Sequence, residues 1–170
     1  RSLDHDLLVG IVWSGPDRHD FYLDQPPELE NNSGWMQNPT AVNPDSQGGW
    51  VVLNHQWSMP LAKTYYTHFH DRIAHLIYSY EHILRTQWFL EKHCIPYFMS
   101  TYTQEVFPAD CQQHPELEHL VKLIDRSKFL PVDGVYEWCR DYSGLNFPML
   151  GDNHPSTEQH QLFTKQVIMP

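Results

Sequence analysis

Apolar residues recur at steps of three and four from Ala62 through Tyr66, Phe69, Ile73, Leu76, Tyr80, Ile83 or Leu84 to Trp88. That spacing predicts one face of an α-helix about eight turns long, closed near Lys92-His93, whose cations suit the negative end of the helix dipole. Upstream, Asp6–Trp13 is a short apolar run rich in β-formers that ends in Ser14-Gly15-Pro16, which predicts a buried parallel strand followed by a sharp loop. Downstream, Ile95-Pro-Tyr-Phe-Met-Ser100 predicts the next strand. Strand, helix and strand in this order are what a β-α-β crossover needs. Phe107-Pro-Ala-Asp110 reads as loop, Pro115–Ile124 as a short helix with proline in its first turn, and Asp133-Gly134 as a tight turn. Tyr136–Cys139 fits one helical turn or a short strand equally. Ser156 and Gln159 have the spacing of a capping box, so a last helix begins at Ser156.

Between the first strand and the long helix, about 23–58, turn signals follow in series: Gln25-Pro-Pro27, Asn31-Asn-Ser-Gly34, Asn38-Pro39, Asn43-Pro44 and Gln47-Gly-Gly49. The expectation is a long loop insertion whose Trp35, Trp50 and Trp57 pack against something. A lid beside a ligand crevice, a partner-contact surface and a simple decoration all fit. The length of 170 residues suits a single domain over 1–170. A formal charge of −10 without a basic stripe argues against nucleic acid and against an anionic membrane surface as partners. Twelve His against eleven Lys plus Arg make the net charge climb as pH falls below about 6.5, which predicts acid sensitivity. Cys94, Cys111 and Cys139 form no Cys-x-x-Cys pair, so reduced thiols in a cytoplasmic or particle-associated setting are expected rather than a disulfide-rich secreted one. No run of 18 apolar residues occurs.

The candidate chemistry lies near the end of the chain, where Asp152 and His154 stand two residues apart on the loop before the last helix. A loop held by a rigid helix keeps an imidazole at the edge of a cleft yet wet enough to exchange protons, and an acid beside it can orient the ring. Ordinary turn chemistry also explains an Asp before His-Pro. His68, His70 and His75 invite a metal reading, but residues two apart on a helix point about 200° from each other, so neither a metal nor another cofactor is expected.

The block Asp152-Asn153-His154-Pro155-Ser156, with His160, Leu162 and Phe163 on the helix after it, resembles the last conserved block of the SGNH (GDSL-type) hydrolase superfamily. The resemblance implies a three-layer α/β/α fold with a mainly parallel, flavodoxin-like sheet and a Ser–His–Asp site for ester hydrolysis or acyl transfer. It implies His154 and Asp152 as catalytic, and Ser14, Gly15, Asp17 and Arg18 as the oxyanion or substrate loop after the first strand. The family's Asn is absent from that loop, and its Gly-Asp-Ser nucleophile block is absent upstream of 6–13. The chain therefore reads as the C-terminal two thirds of such a domain, with the N-terminal part missing.

On that reading His154 takes the proton from a serine hydroxyl supplied by the missing segment, Asp152 orients the imidazole, and backbone N–H groups hold the oxyanion. The implied substrate is an acyl ester or an acylated carbohydrate. The alternative is a non-catalytic SGNH-like structural or carbohydrate-contact module in a larger, even viral, assembly, associating through the 23–58 loop or the 60–92 helix.

Overall fold

The computed structural model describes residues 7–23, 35–37, 49–53, 60–145 and 154–170. In chain order the elements are the strands β1 (Val9–Trp13), β2 (His19–Leu23), β3 (Trp35–Gln37) and β4 (Gly49–Leu53), the helices α1 (Pro60–His68) and α2 (Arg72–Lys92), strand β5 (Tyr97–Thr101), and the helices α3 (Pro115–Leu123), α4 (Val135–Asp141) and α5 (Thr157–Phe163). The fold is mixed α/β and divides into two compact units, one made of Arg1–Pro16 with Leu76–Pro170 and the other of Asp17–His75.

In the first unit β1 and β5 run parallel, in register from Val9 opposite Tyr97 to Trp13 opposite Thr101. Val9, Ile11 and Val12 give β1 the branched side chains that suit a pleated surface. Gly10 serves a close approach: a methyl there would lie 2.5 Å from the Phe98 ring. On the far side of β5, Met99 bridges in parallel to Phe129, and Leu130 N donates to Met99 O at 2.8 Å. The buried positions of α2 in this unit are Leu76, Tyr80, Ile83, Leu84, Gln87 and Leu90, the three- and four-residue spacing of one helical face. Gln87 sits on that apolar face because its amide satisfies the chain after α3. Its Oε1 accepts from Asp125 N at 2.9 Å and its Nε2 donates to Leu123 O at 3.5 Å. Tyr80 stacks on Phe107, and the Arg126 guanidinium lies 3.7 Å from the centre of the Phe107 ring. The segment Tyr136–Cys139, which left helix and strand open, is helical, and Trp138 and Cys139 pack with Val135 and Phe163.

The expected continuous helix over 60–92 is broken. Phe69 N and His70 N both donate to Tyr65 O, closing α1, and Asp71 Oδ1 accepts from Ala74 N at 2.8 Å to open α2. The apolar stripe crosses this break in phase, so periodicity could not report it.

The second unit holds an antiparallel sheet in the order β2-β4-β3, with His19 opposite Leu53 and Trp35 opposite Val51. This corrects the expectation of a long loop over 23–58, because β3 and β4 lie within it. Trp50-Val-Val-Leu53 are β-formers that pair with β2, and the turn residues on either side obscured them. Among the described residues parallel pairing joins β5 to its two neighbours and the other sheet is antiparallel, a mixed arrangement where a mainly parallel sheet was expected. Val51, Leu53 and Ala62 form the core, with Phe21, Tyr65 and Tyr66 against it. Among the described residues no helix is long and apolar enough to cross a membrane.

Candidate functional site

In the first unit the carboxyl ends of β1 and β5 are tied together: Tyr102 N, one residue past β5, donates to Trp13 O, the last residue of β1, at 2.7 Å. Ser14 and Gly15 therefore leave the sheet beside Tyr102 and Thr103. The chain before α4 closes over the same end, since Thr101 Oγ1 donates to Asp133 O at 3.1 Å and Tyr136 N donates to Tyr102 O at 2.9 Å. In parallel α/β sheets this end is where ligands bind, because the strands splay into loops there and the backbone polar groups are free to turn toward a ligand.

His154 is brought to this end. Its imidazole is exposed, and its ring centre lies 6.0 Å from that of Tyr102. The residues after it explain its fixed place. Pro155 is buried, Ser156 Oγ accepts from Gln159 N at 3.2 Å, and Gln159 Oε1 accepts from Ser156 N at 2.9 Å, the reciprocal bonds of a capping box. Gln159 is 0 % exposed, and its Nε2 donates to Cys139 O at 3.0 Å and to Ser143 Oγ at 3.2 Å. The loop that carries His154 is thereby anchored to α4. Asp152, the expected orienting acid, lies outside the described residues.

Of the other expected site residues, Ser14 is exposed and Gly15 half-buried just past β1. Asp17 and Arg18 belong to the second unit. There Asp17 O accepts from Tyr66 Oη, which also donates to Leu53 O at 3.0 Å, while Arg18 is exposed. Of the six expected residues, Ser14, Gly15 and His154 lie in the first unit, Asp17 and Arg18 in the second, and Asp152 outside the described residues.

Three residues at the carboxyl end of β5 were missed by sequence reasoning: Tyr102, Thr103 and Glu137. Glu137 is 7 % exposed, and among the described residues neither its Oε2 nor Thr103 Oγ1 has a hydrogen-bond partner. The two residues meet at Gly134, where an added methyl would lie 2.3 Å from Glu137 Oε2 and 2.9 Å from Thr103 Cα, so only glycine fits. A buried carboxyl group in an otherwise apolar helical turn was the available signal, and Glu137 among Val135, Trp138 and Cys139 carried it.

His19, His70 and His75 of the second unit form a cluster of their own. His70 stacks on His75 at 4.5 Å, His19 stacks on Tyr65 at 4.7 Å and meets His75 edge-on at 5.6 Å, and Tyr65 Oη lies 2.9 Å from His75 Nε2. Stacked rings present faces to each other rather than converging lone pairs, and among the described residues no group of three or more His, Cys, Asp or Glu has a metal-holding arrangement. His68, at the end of α1, is exposed.

No protein-family model, no curated protein and no solved structure matches the chain.

Proposed function

We propose that the carboxyl end of the β1–β5 pair is an acyl-ester hydrolysis site of the SGNH type, with His154 as its general base and Asp152 as the residue that orients it. The observation that carries this reading is the anchored, exposed imidazole of His154 beside Tyr102, at the sheet end where β1 runs out into Ser14-Gly15. The three-layer α/β/α arrangement belongs to the same proposal.

The imidazole accepts a proton as a hydroxyl oxygen bonds to the ester carbonyl carbon, and the carbonyl π pair moves onto oxygen. Backbone N–H groups of the Ser14-Gly15 turn supply donors for that oxyanion. When the tetrahedral adduct collapses, the C–O bond to the alcohol breaks and the imidazolium returns its proton to the departing alkoxide. If the attacking hydroxyl is a serine's, water repeats the two steps on the acyl-enzyme and releases the acid.

The test is hydrolysis of p-nitrophenyl acetate and of an O-acetylated monosaccharide by the full-length protein, with labelling by a serine-directed fluorophosphonate. His154→Ala should lower kcat/KM by about 100-fold or more, the scale of a lost general base. Turnover unchanged in that variant, or no turnover and no adduct in the parent, removes the hydrolase reading.

A second reading has its own observation. Trp88 and Phe89, neighbours on α2, are 51 % and 58 % exposed, and Tyr78 is exposed on the same helix. Adjacent exposed aromatic side chains suit a non-catalytic module that contacts a carbohydrate or an assembly partner. Light scattering separates the two, because that module associates and loses association in Trp88→Ala, whereas the hydrolase keeps its turnover in the same variant.

A further inference from the structure

We propose that His19, His70 and His75, packed around Tyr65, form an acid-sensitive latch that holds β2, α1 and the first turn of α2 together and releases them when the imidazoles are protonated. This inference is independent of the hydrolase reading, and all of its residues lie in the second unit. At neutral pH the rings are good neighbours. His70 stacks on His75 with an interplanar angle of 26°, His19 stacks on Tyr65 at 18°, and Tyr66 flanks His70 at 4.9 Å between ring centres.

Protonation changes two things. It places like charges 4.5 and 5.6 Å apart between ring centres, well inside the ~10 Å over which 0.1 M salt screens. It also converts every ring nitrogen into a donor. His70 Nε2 is buried and has no hydrogen-bond partner among the described residues, so an imidazolium there carries an N–H that none of them accepts.

The surrounding charges act in both directions, and at His19 the pull of Asp20 toward the charged form exceeds the push of His70 against it, so burial sets the direction there. Asp20 neighbours His19 and favours its charged form. Asp17 acts at Tyr66. Asp71 already accepts from Ala74 N. Lys63 and His68 on α1 and Arg72 at the start of α2 add positive charge or the capacity for it. The net effect at His19 is a pKa held below its ordinary 6.5, first by burial and further by His70, with Asp20 opposing. For a base whose folded pKa is depressed, the unfolded chain binds the proton more readily. Stability is therefore complete above the unfolded value of 6.5 and is lost as pH falls below it toward the folded value.

Hydrogen exchange of the full chain, read by mass spectrometry at pH 7.5, 6.5 and 5.5 and corrected for intrinsic exchange rates, tests the latch. Protection over 19–23 and 60–75 should fall at least tenfold between the extremes, while 97–101 and 115–123 keep theirs. The double variant His19→Gln, His70→Gln should flatten the response. An equal change in both sets of segments, or an unaltered response in the variant, overturns the proposal. Should the variant not fold, proton NMR titration of the unaltered protein decides the matter: a His19 midpoint below 6.5 supports the latch and one at or above 6.5 ends it.

Discussion

Cys94 ends α2 in the left-handed region, with φ at 53°. Ile95 N donates to Leu90 O at 2.9 Å and Cys94 N to Glu91 O at 3.0 Å, the paired bonds that close a helix over a C′ residue normally filled by glycine. A side chain there pushes Cβ against the carbonyl that follows, a cost of about 1–2 kcal/mol that glycine does not incur. Its gain is partly offset by glycine's greater freedom in the unfolded chain. Cys94→Gly should therefore raise stability by about 0.5–1 kcal/mol, read as a higher urea midpoint at unchanged m-value. A lower midpoint would show that the thiol makes a contact worth more than the backbone relief. Nothing in the sequence announced this position, because φ is a property of the closed turn rather than of the residue. The Ser156–Gln159 box, in contrast, was legible in full, since both of its bonds depend on residue type and a three-residue spacing.

At the scale of elements, what could be read depended on whether the signal was local. The capped start of α5, the proline-led α3 and the apolar runs of β1 and β5 all have short-range causes, and the structure carries them within a few residues of the expected bounds. The break between α1 and α2 has two local causes, the bonds that close α1 on Tyr65 O and the aspartate that opens α2. Asp71 gives the first turn of α2 its side-chain acceptor and sits at the positive end of that helix. Asp71→Ala should cost about 1 kcal/mol and should not merge α1 and α2 into one helix, since the bonds from Phe69 N and His70 N to Tyr65 O remain. Thermal melting gives the cost, and unchanged far-ultraviolet circular dichroism below the transition checks the second point. A clear gain of helical signal would mean that the aspartate alone imposes the break. The strands β3 and β4 were illegible for the opposite reason: short β runs between clusters of Gly, Pro and Asn acquire their meaning only by pairing, and the partner strand β2 lies about 30 residues from β4, beyond any local window. The candidate site followed the same rule. Its histidine stood in a local pattern, whereas Tyr102, Thr103 and Glu137 come together only when β5 meets α4.

For the whole molecule, the groups with displaced pKa values define a plateau of stability bounded on both sides. On the acid side His19 is held below 6.5, chiefly by burial, so stability declines as pH falls below that value. Further down, Asp125 is held below 3.8 by its bonds from Ser127, and Asp141 by its bond from Arg140, so their contributions vanish as pH drops through that range. On the alkaline side the signs reverse. Tyr66 and Tyr97 are held above the usual 10.0, mainly by burial, with Tyr97 Oη also donating to Glu91 Oε1 at 3.0 Å. A raised pKa on an acid means that the folded state keeps a proton the unfolded chain gives up, so stability falls once pH exceeds 10.0. The buried Cys139 thiol, likewise held above its usual 9.0 by burial, brings the alkaline edge lower, so urea midpoints measured from pH 4 to 11 should be level between about 7 and 8.5 and fall on either side. Tyr97→Phe should lower the plateau and soften the alkaline fall, because it removes both the hydrogen bond and one of the ionisations that drive that fall. A midpoint that holds constant from pH 5 to 11 would mean that these side chains reach water as freely in the folded protein as in the unfolded chain, which their burial in the structure does not allow.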